Sequence, residues 1–403
     1  MRDDLNSFYF FYFLAKMNSG KYVFAQIVEF LPQRQFDLIV DKYKGNRYVK
    51  HYTCWNQLLC MMFGQLSHRE SLSDLVLCID AHKTKSYHLG LGRNISKNNL
   101  AKANENRNCE IYAEYAYLLI SQARKECVSS DIELAVQGNV YAFDSTVIDL
   151  CLKVFWWAKF RKSKGAIKIH TLFDVKTNIP CFVYITEASL HDVNAMDELK
   201  YESGSYYVMD KAYVDYSRLF KIQKENAYFV TRAKVNFRFR IIKVNKAYPK
   251  DNILLDQTIS LSGATTQKKY PKMLRRIIYN DIETETTLVF LTNNFDLSAK
   301  EVALLYKYRW RVELFFKWIK QHLKVLTFWG TSTNAVKTQI YIAIITYVSV
   351  AIIKSRLHCK RSNYEILQIL SLSLLDKTPL KELINTEQQD EQNENQYGQL
   401  KLF

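Results

Sequence analysis

Three carboxylates and a ring of cations are the side chains here best equipped for chemistry. Tyr306, Arg309, Glu313, Lys317 and Lys320 follow one another at steps of three, four, four and three residues. A helix of 3.6 residues per turn sets all five on one face. That face carries one carboxylate among positive charges and a phenol. It can be a row of charge pairs on a wetted helix. It can also be part of a divalent-cation site whose Lys, Arg and Tyr side chains grip a phosphodiester backbone. The second reading requires two more carboxylates on strands beside the helix. Asp144 in AFDST and Asp210 in YVMDKAY each close an apolar run. Taken alone, each reads as a turn or helix-capping residue. Set side by side, two buried carboxylates repel until a proton or a cation lies between them.

The elements that must position these residues follow from local pattern. Ser298 and Glu301 form a capping box, so a helix is predicted from Ser298 to Leu323. Leu305, Tyr308, Val312, Phe316, Ile319 and Leu323 make its apolar stripe, and Trp310 and Trp318 argue against leaving it in water. Upstream, NVYAFDSTV reads as a first strand. In AIKIHTLFD, Ile167, Ile169 and Phe173 alternate with Lys168, His170 and Leu172 as a second, and PCFVYITEAS is a third. HDVNAMDELK reads as a helix, SYYVMD as a buried strand, DYSRLFKIQKEN as a helix and YFVTRAK as another strand. In such a β-β-β-α-β order the first and fourth strands are central neighbours, which brings Asp144 beside Asp210. Further strand-like pieces lie in about 235–296, basic along NFRFR and QKKYPKMLRR. They read as a β-rich insertion that the core sheet does not need, with cations for a nucleic-acid backbone or for solubility.

The rest of the chain fits a protein that handles a polyanion. Lys plus Arg is 56 against 40 Asp plus Glu, a net +16, and the pI is near 9.3. Nucleic acid is the first partner this implies, and no stretch approaches the ~20 apolar residues of a membrane span. The eight cysteines are scattered without a C-x-x-C pair, which fits core thiols in a reducing cytoplasm. Residues 1–16 are expected to be a leader or extension, with Met17 a candidate working start. Residues 17–135 read as helical throughout. Within them Ser96 caps an Asn-rich polar helix bearing Lys97 and Lys102, with Arg107 close behind. That helix can lie in a DNA groove or be a solvated helix of a bundle. Residues 136–385 hold the strands and the Glu313 helix, and Ala335–Ile353 reads as a core helix packed behind the sheet. From 386 to 403 the composition turns polar and is expected to be disordered, ending in Gln399, Leu400, Lys401, Leu402 and Phe403.

With these pieces placed, Asp144 in FDST, Asp210 in MDKAY and the spacing Y-x2-R-x3-E-x6-K over Tyr306, Arg309, Glu313 and Lys320 resemble a known family. The sequence is similar to the DDE transposases of bacterial insertion sequences, in the branch with that Tyr-Arg-Glu-Lys signature and an extra helical N-terminal domain. GAIKIH, ASLHD, FVTRAK and LTNNFDLSAKEVALLYKYRWRVELFFKWIK are similar to its blocks, so the likeness spans roughly 140–354. It implies an α/β RNase H-like core with a β-rich insertion behind an all-α domain, and two Mg²⁺ or Mn²⁺ ions held by Asp144, Asp210 and Glu313. The reaction implied is in-line phosphoryl transfer, which cleaves transposon ends and joins them to target DNA. Tyr306, Arg309 and Lys320 would hold end phosphates with Lys317 assisting, and His191 and Asp192 resemble an accessory His-Asp pair, Asp192 being equally suited to capping. The likeness also implies a homodimer on paired ends in a bacterial cytoplasm, at the nucleoid. A nuclease without strand transfer, or a catalytically silent DNA-binding protein, is the alternative. No Trp lies between Lys211 and Tyr308, where the family can place one against a flipped base. Tyr270 and Tyr279 are the aromatic substitutes if they are not sheet core. Gln399, Leu400, Leu402 and Phe403 resemble a peptide that docks on the replicative sliding clamp.

Overall fold

The structure, a computed structural model, describes residues 20–92, 95–127, 136–161, 164–245, 251–322 and 328–385. The leader, the polar tail and the terminal clamp-like peptide lie outside these residues. The chain forms two compact units: the described parts of Met1–Cys127 with Trp318–Phe403, and of Val128–Lys317.

The first unit opens with seven helices: α1 (Val23–Val28), α2 (Gln33–Lys42), α3 (Cys54–Leu66), α4 (Leu72–Ala81), α5 (Lys83–Ser86), α6 (Lys97–Asn106) and α7 (Glu110–Glu126). Side-chain caps start three of them. Thr53 and Asn56 exchange bonds as a capping box at α3, while Ser71 and Ser96 accept from Asp74 N and Asn99 N at α4 and α6.

The second unit is built on one ten-stranded sheet among the described residues, in the order β2-β3-β1-β5-β6-β10-β9-β8-β7, with β4 also paired to β3. The strands are β1 (Val140–Leu150), β2 (Lys159–Arg161), β3 (Lys164–Asp174), β4 (Ile179–Glu187), β5 (Tyr206–Met209), β6 (Tyr228–Arg232), β7 (Phe239–Val244), β8 (Ile253–Leu261), β9 (Leu274–Asp281) and β10 (Thr286–Thr292). The β1 and β5 strands run parallel with Phe143 opposite Met209. Asp144 and Asp210 are the next residue on each, as the strand order predicts. The α8 helix (Tyr216–Lys224) links β5 to β6.

Three expectations change. HDVNAMDELK forms a tight 3₁₀ segment, Asp192–Glu198, in place of an α-helix. The strands after β6 extend the core sheet: β10 pairs directly with β6, and β9, β8 and β7 follow it. Backbone groups along β6 would otherwise be an open edge, which gives the physical reason. The predicted helix from Ser298 divides into α10 (Ala299–Lys307) and α11 (Trp310–His322), after a short α9 (Ala264–Lys269). Its capping box is present, Glu301 N donating to Ser298 Oγ and Ser298 N to Glu301 Oε2. Arg309 N and Val312 N instead bond three residues back, to Tyr306 O and Arg309 O. The chain is thus tightened at Tyr308–Arg309, which turns Arg309 inward.

Three more helices return to the first unit: α12 (Thr333–Arg356), α13 (Asn363–Ser373) and α14 (Leu380–Asn385). The neighbours of α12 are helices, chiefly α7, α3 and α6, where packing behind the sheet was expected. Its ends are tied: Asn334 Nδ2 donates to Asn104 O and Arg107 O, and Arg356 makes two 2.8 Å bonds to Glu126. Among the described residues α12 is the one helix long and apolar enough to cross a membrane, and 89% of its apolar window is buried in the protein. Two of its polar side chains are met in the core: Thr346 Oγ1 donates to Oε1 of buried Gln65 at 3.0 Å, and Gln339 Oε1 accepts from Trp329 N at 2.8 Å. The apolar tract is a core helix that carries its own polar partners.

Candidate active site

Asp144 leaves the protected centre of the sheet on β1, where burial raises its carboxyl to about 6. Its own neighbour Ser145 N and the Arg309 guanidinium pull the other way, while Glu313 and Asp210 add repulsion. The repulsion requires the three acids to share one neighbourhood. Arg309 occupies it: Nη1 donates to Asp144 Oδ2 at 2.9 Å and Nη2 to Glu313 Oε1 at 2.6 Å. Its Nε is buried with no hydrogen-bond partner. Asp210 is held separately, Tyr306 OH donating to its Oδ1 at 3.2 Å. Burial raises the Tyr306 phenol to about 12, so it stays a donor at neutral pH. The Arg309 guanidinium also lies 5.5 Å from the Tyr306 ring centroid.

Glu313 arrives here because α11 is anchored on both sides of it. Arg311 Nη1 donates to Val175 O and Asn178 Oδ1 in the β3–β4 turn at 3.0 and 2.9 Å, and Phe315 packs on Phe173 at 5.3 Å between centroids. Asn178 turns the chain with a left-handed φ of 57°, which Asn tolerates better than most residues. The structure therefore brings Asp144, Asp210, Glu313, Tyr306 and Arg309 together. Lys317 is exposed on α11 and Lys320 is half-buried one turn on. Trp310, expected to be covered, is 57% exposed, whereas Trp318 is buried. Tyr270 takes the core role, buried on Phe229 and Phe220, with Tyr279 beside Phe290 on β9 and β10.

His191 is exposed at the start of the 3₁₀ segment and caps nothing with its side chain. Asp192 instead reaches the strand that bears Asp144: Ser145 Oγ donates to its Oδ1 at 2.7 Å and Lys168 Nζ stands 3.1 Å away. His170 Nδ1 is 4.0 Å off, with Nε2 3.1 Å from Thr186 Oγ1. Ser145, Lys168, His170 and Thr186 thus form a support behind Asp144 that pattern reasoning missed. Alternation placed Lys168 and His170 on a polar face, but both faces of β3 are covered and His170 is fully buried. The Lys-x-His spacing on a strand was the available signal.

Burial lowers the His170 imidazole to about 4, with Asp192 opposing. The folded state favours the neutral ring. In the unfolded chain the ring returns to its ordinary 6.5, so stability is complete above that value and falls as pH drops toward 4. The loss amounts to about 3 kcal/mol at one pKa unit per 1.36 kcal/mol. Urea midpoints at pH 7 and pH 4.5 should separate further for the wild type than for His170→Phe; parallel shifts would refute the assignment.

Among the described residues, no three Asp, Glu, His or Cys side chains stand close enough to hold a metal ion as they are placed. Arg309 lies where a cation between Asp144 and Glu313 would lie. The carboxylate set is nevertheless that of a hard cation such as Mg²⁺ or Mn²⁺, and their mutual repulsion calls for positive charge.

Comparison with known sequences places the chain in a class. The family described as Transposase DDE domain matches residues 137–349, more than half of the chain, and the protein belongs to it. A domain of unknown function, DUF4372, matches residues 19–92. More particularly, the relatives are described as insertion-sequence transposases or simply as transposases. Transposase y4zB of Sinorhizobium fredii is 32% identical over 62% of this chain and 68% of its own length. The transposase for insertion sequence element IS5377 of Geobacillus stearothermophilus is 30% identical over 57% and 60% respectively. That for IS4SA of Synechocystis is 27% identical over 64% and 71%.

Proposed function

We propose that this chain is the transposase of an insertion sequence, cutting DNA at the element's ends and joining those ends to a target. The observation that carries the reading is Arg309 bridging Asp144 and Glu313 while Tyr306 holds Asp210: residues far apart in sequence meet as one acidic site on a basic chain. In this reading the second unit has an RNase H-like core, with Asp144, Asp210 and Glu313 as its three metal-holding carboxylates. Two bound Mg²⁺ or Mn²⁺ ions would supply activation of water or a DNA 3′-hydroxyl and charge stabilisation at the leaving oxygen.

The protein's own part is positional. The parallel pair β1 and β5 fixes the two aspartates at equal height, and the α10–α11 joint delivers Glu313. Arg309 and Tyr306 have two employments. Without a cation they neutralise and hydrogen-bond the carboxylates; turned outward with Lys317 and Lys320, they hold phosphates of the element end. Asp192, paired with Lys168, steadies Ser145 and through it Asp144. Residues 17–135 act as the DNA-binding domain in the helical unit, which also takes in the chain from Trp318 on; the strands and the Glu313 region up to Lys317 act as the catalytic domain, its sheet extended by the strands of about 235–296, and the working form is a dimer on paired ends in the cytoplasm. The terminal residues Gln399, Leu400, Leu402 and Phe403, which lie outside the described residues, dock on the replicative sliding clamp.

The test is direct. Purified protein with Mg²⁺ and duplexes bearing the DNA that flanks its coding region should yield 3′-ended cleavage products, and then joined products with a plasmid target. Nicking without joining would favour a nuclease, and binding without either product a silent DNA-binding protein.

A further inference from the structure

We propose that α6 of the helical unit reads base edges in a DNA major groove, while the loop 44–53 beside its C-terminal end clamps the phosphate backbone. This rests on the transposase reading above, to which it adds a specific recognition surface.

The first observation is which residues α6 leaves outside. Leu100, Ala103 and Asn104 are buried, and Asn98, Asn99, Lys102 and Asn106 form the exposed stripe, with Glu105 at its margin. Asn is among the poorer helix formers, so a face that only met water would favour Lys, Glu or Gln. Asn and Lys side chains are, however, suited to base edges: Asn pairs doubly with adenine, and Lys donates to guanine.

The second observation is that α6 is held as a rigid unit. Gln57 Nε2 donates to Asn104 Oδ1 at 2.7 Å and Asn104 Nδ2 contacts Met61 Sδ, which locks the inner face onto α3. Arg107, just past the helix, donates to Thr53 O at 2.8 Å, to Gln57 Oε1 at 3.0 Å and to Tyr52 O. One guanidinium therefore ties the helix end to the loop. Asn46 Oδ1 accepts from Cys54 N at 2.8 Å and closes that loop on itself.

The third observation is what the loop displays. Lys44, Arg47, Lys50 and His51 are exposed, and Tyr48 is 88% exposed with the Arg47 guanidinium 4.8 Å from its ring. Lys44 and Tyr48 have left-handed φ of 52° and 63°, a costly conformation for such residues that recurs where geometry serves a contact. Within the loop the charge is one-signed, since no Asp or Glu occurs between Asp41 and Glu70, and Glu105 is the single acid of α6. A helix that presents amides, flanked by a cationic aromatic loop, matches a duplex whose bases are read and whose phosphates are gripped.

The experiment is selection of bound sequences from a randomised duplex library by the full-length chain. Wild type and Asp210→Asn should enrich the same motif. The combined Asn98→Ala, Asn99→Ala and Lys102→Ala variant should lose about tenfold or more of the preference for it. Arg47→Ala with Lys50→Ala should weaken binding to all sequences and lower the salt dependence by about two counterions. These positions are exposed, so the variants should keep the wild-type melting temperature, which checks folding. If the α6 variant enriches the wild-type motif, or the wild type enriches none, the inference is overturned. Motif selection that depends on α6, in a protein that never cleaves or joins DNA, would instead overturn the transposase reading and leave this one standing.

Discussion

With Asp210 replaced by Asn, strand cleavage is expected to fall by roughly 10³-fold or more, because several kcal/mol of transition-state stabilisation leave with the carboxylate. Binding to duplex DNA should stay the same or tighten, since the substitution removes one negative charge from a surface that meets phosphates. A second effect points the other way on stability. Asp144 is raised to about 6 mainly by burial, with Glu313 and Asp210 contributing repulsion. Neutralising Asp210 relieves part of that repulsion, so the protein in EDTA should melt no lower than the wild type. Asn keeps the shape and can still accept from Tyr306 OH, so a change in folding does not account for lost cleavage. Gel assays of cleavage with Mg²⁺ and calorimetric melts in EDTA check the two parts. Cleavage at the wild-type rate would remove Asp210 from the reaction.

The site's outline was legible in sequence because its logic is local. Asp144 and Asp210 each end an apolar run, and a parallel β1–β5 pair follows from the order of elements. Helical spacing then aligned Tyr306, Arg309 and Glu313. What the pattern could not carry was burial from both sides. His170 and Lys168 looked like outward residues on an alternating strand, but Asp192 and Thr186 receive them in the covered face. Nor did spacing show the tightened joint at Tyr308–Arg309, since every residue there is an acceptable helix former; long-range bonds to Asp144 reward the distortion. The sheet's extension through β10 was hidden for a similar reason. Strand-like runs reveal that they pair, but their partners depend on which edge is open.

Arg309→Met should be the most destabilising single change at this site when no divalent cation is present. The guanidinium is largely buried, as are Asp144 and, less fully, Glu313, with 14, 19 and 31% of their side chains exposed. Met fills much of the same volume without charge, which leaves two carboxylates facing each other without their shared cation and without full hydration. Breaking such a pair costs about 3–5 kcal/mol, and the partial exposure of Glu313 puts the expectation at the lower end. Melting in EDTA should therefore drop by roughly 6–12 °C. The acids also respond: without the cation, Asp144 should move further above its ordinary value, and the deficit should shrink at lower pH as the carboxyl takes up a proton. Adding Mg²⁺ or Mn²⁺ should then raise the variant's melting temperature more than the wild type's, because in the wild type the ion competes with the guanidinium for the same oxygens. A structural salt bridge unrelated to cation binding predicts the same loss in EDTA but an equal response to the ion in both proteins. Equal shifts, measured over a titration from micromolar to millimolar Mg²⁺, would separate Arg309 from the acidic site and leave it as a strut between β1 and α11.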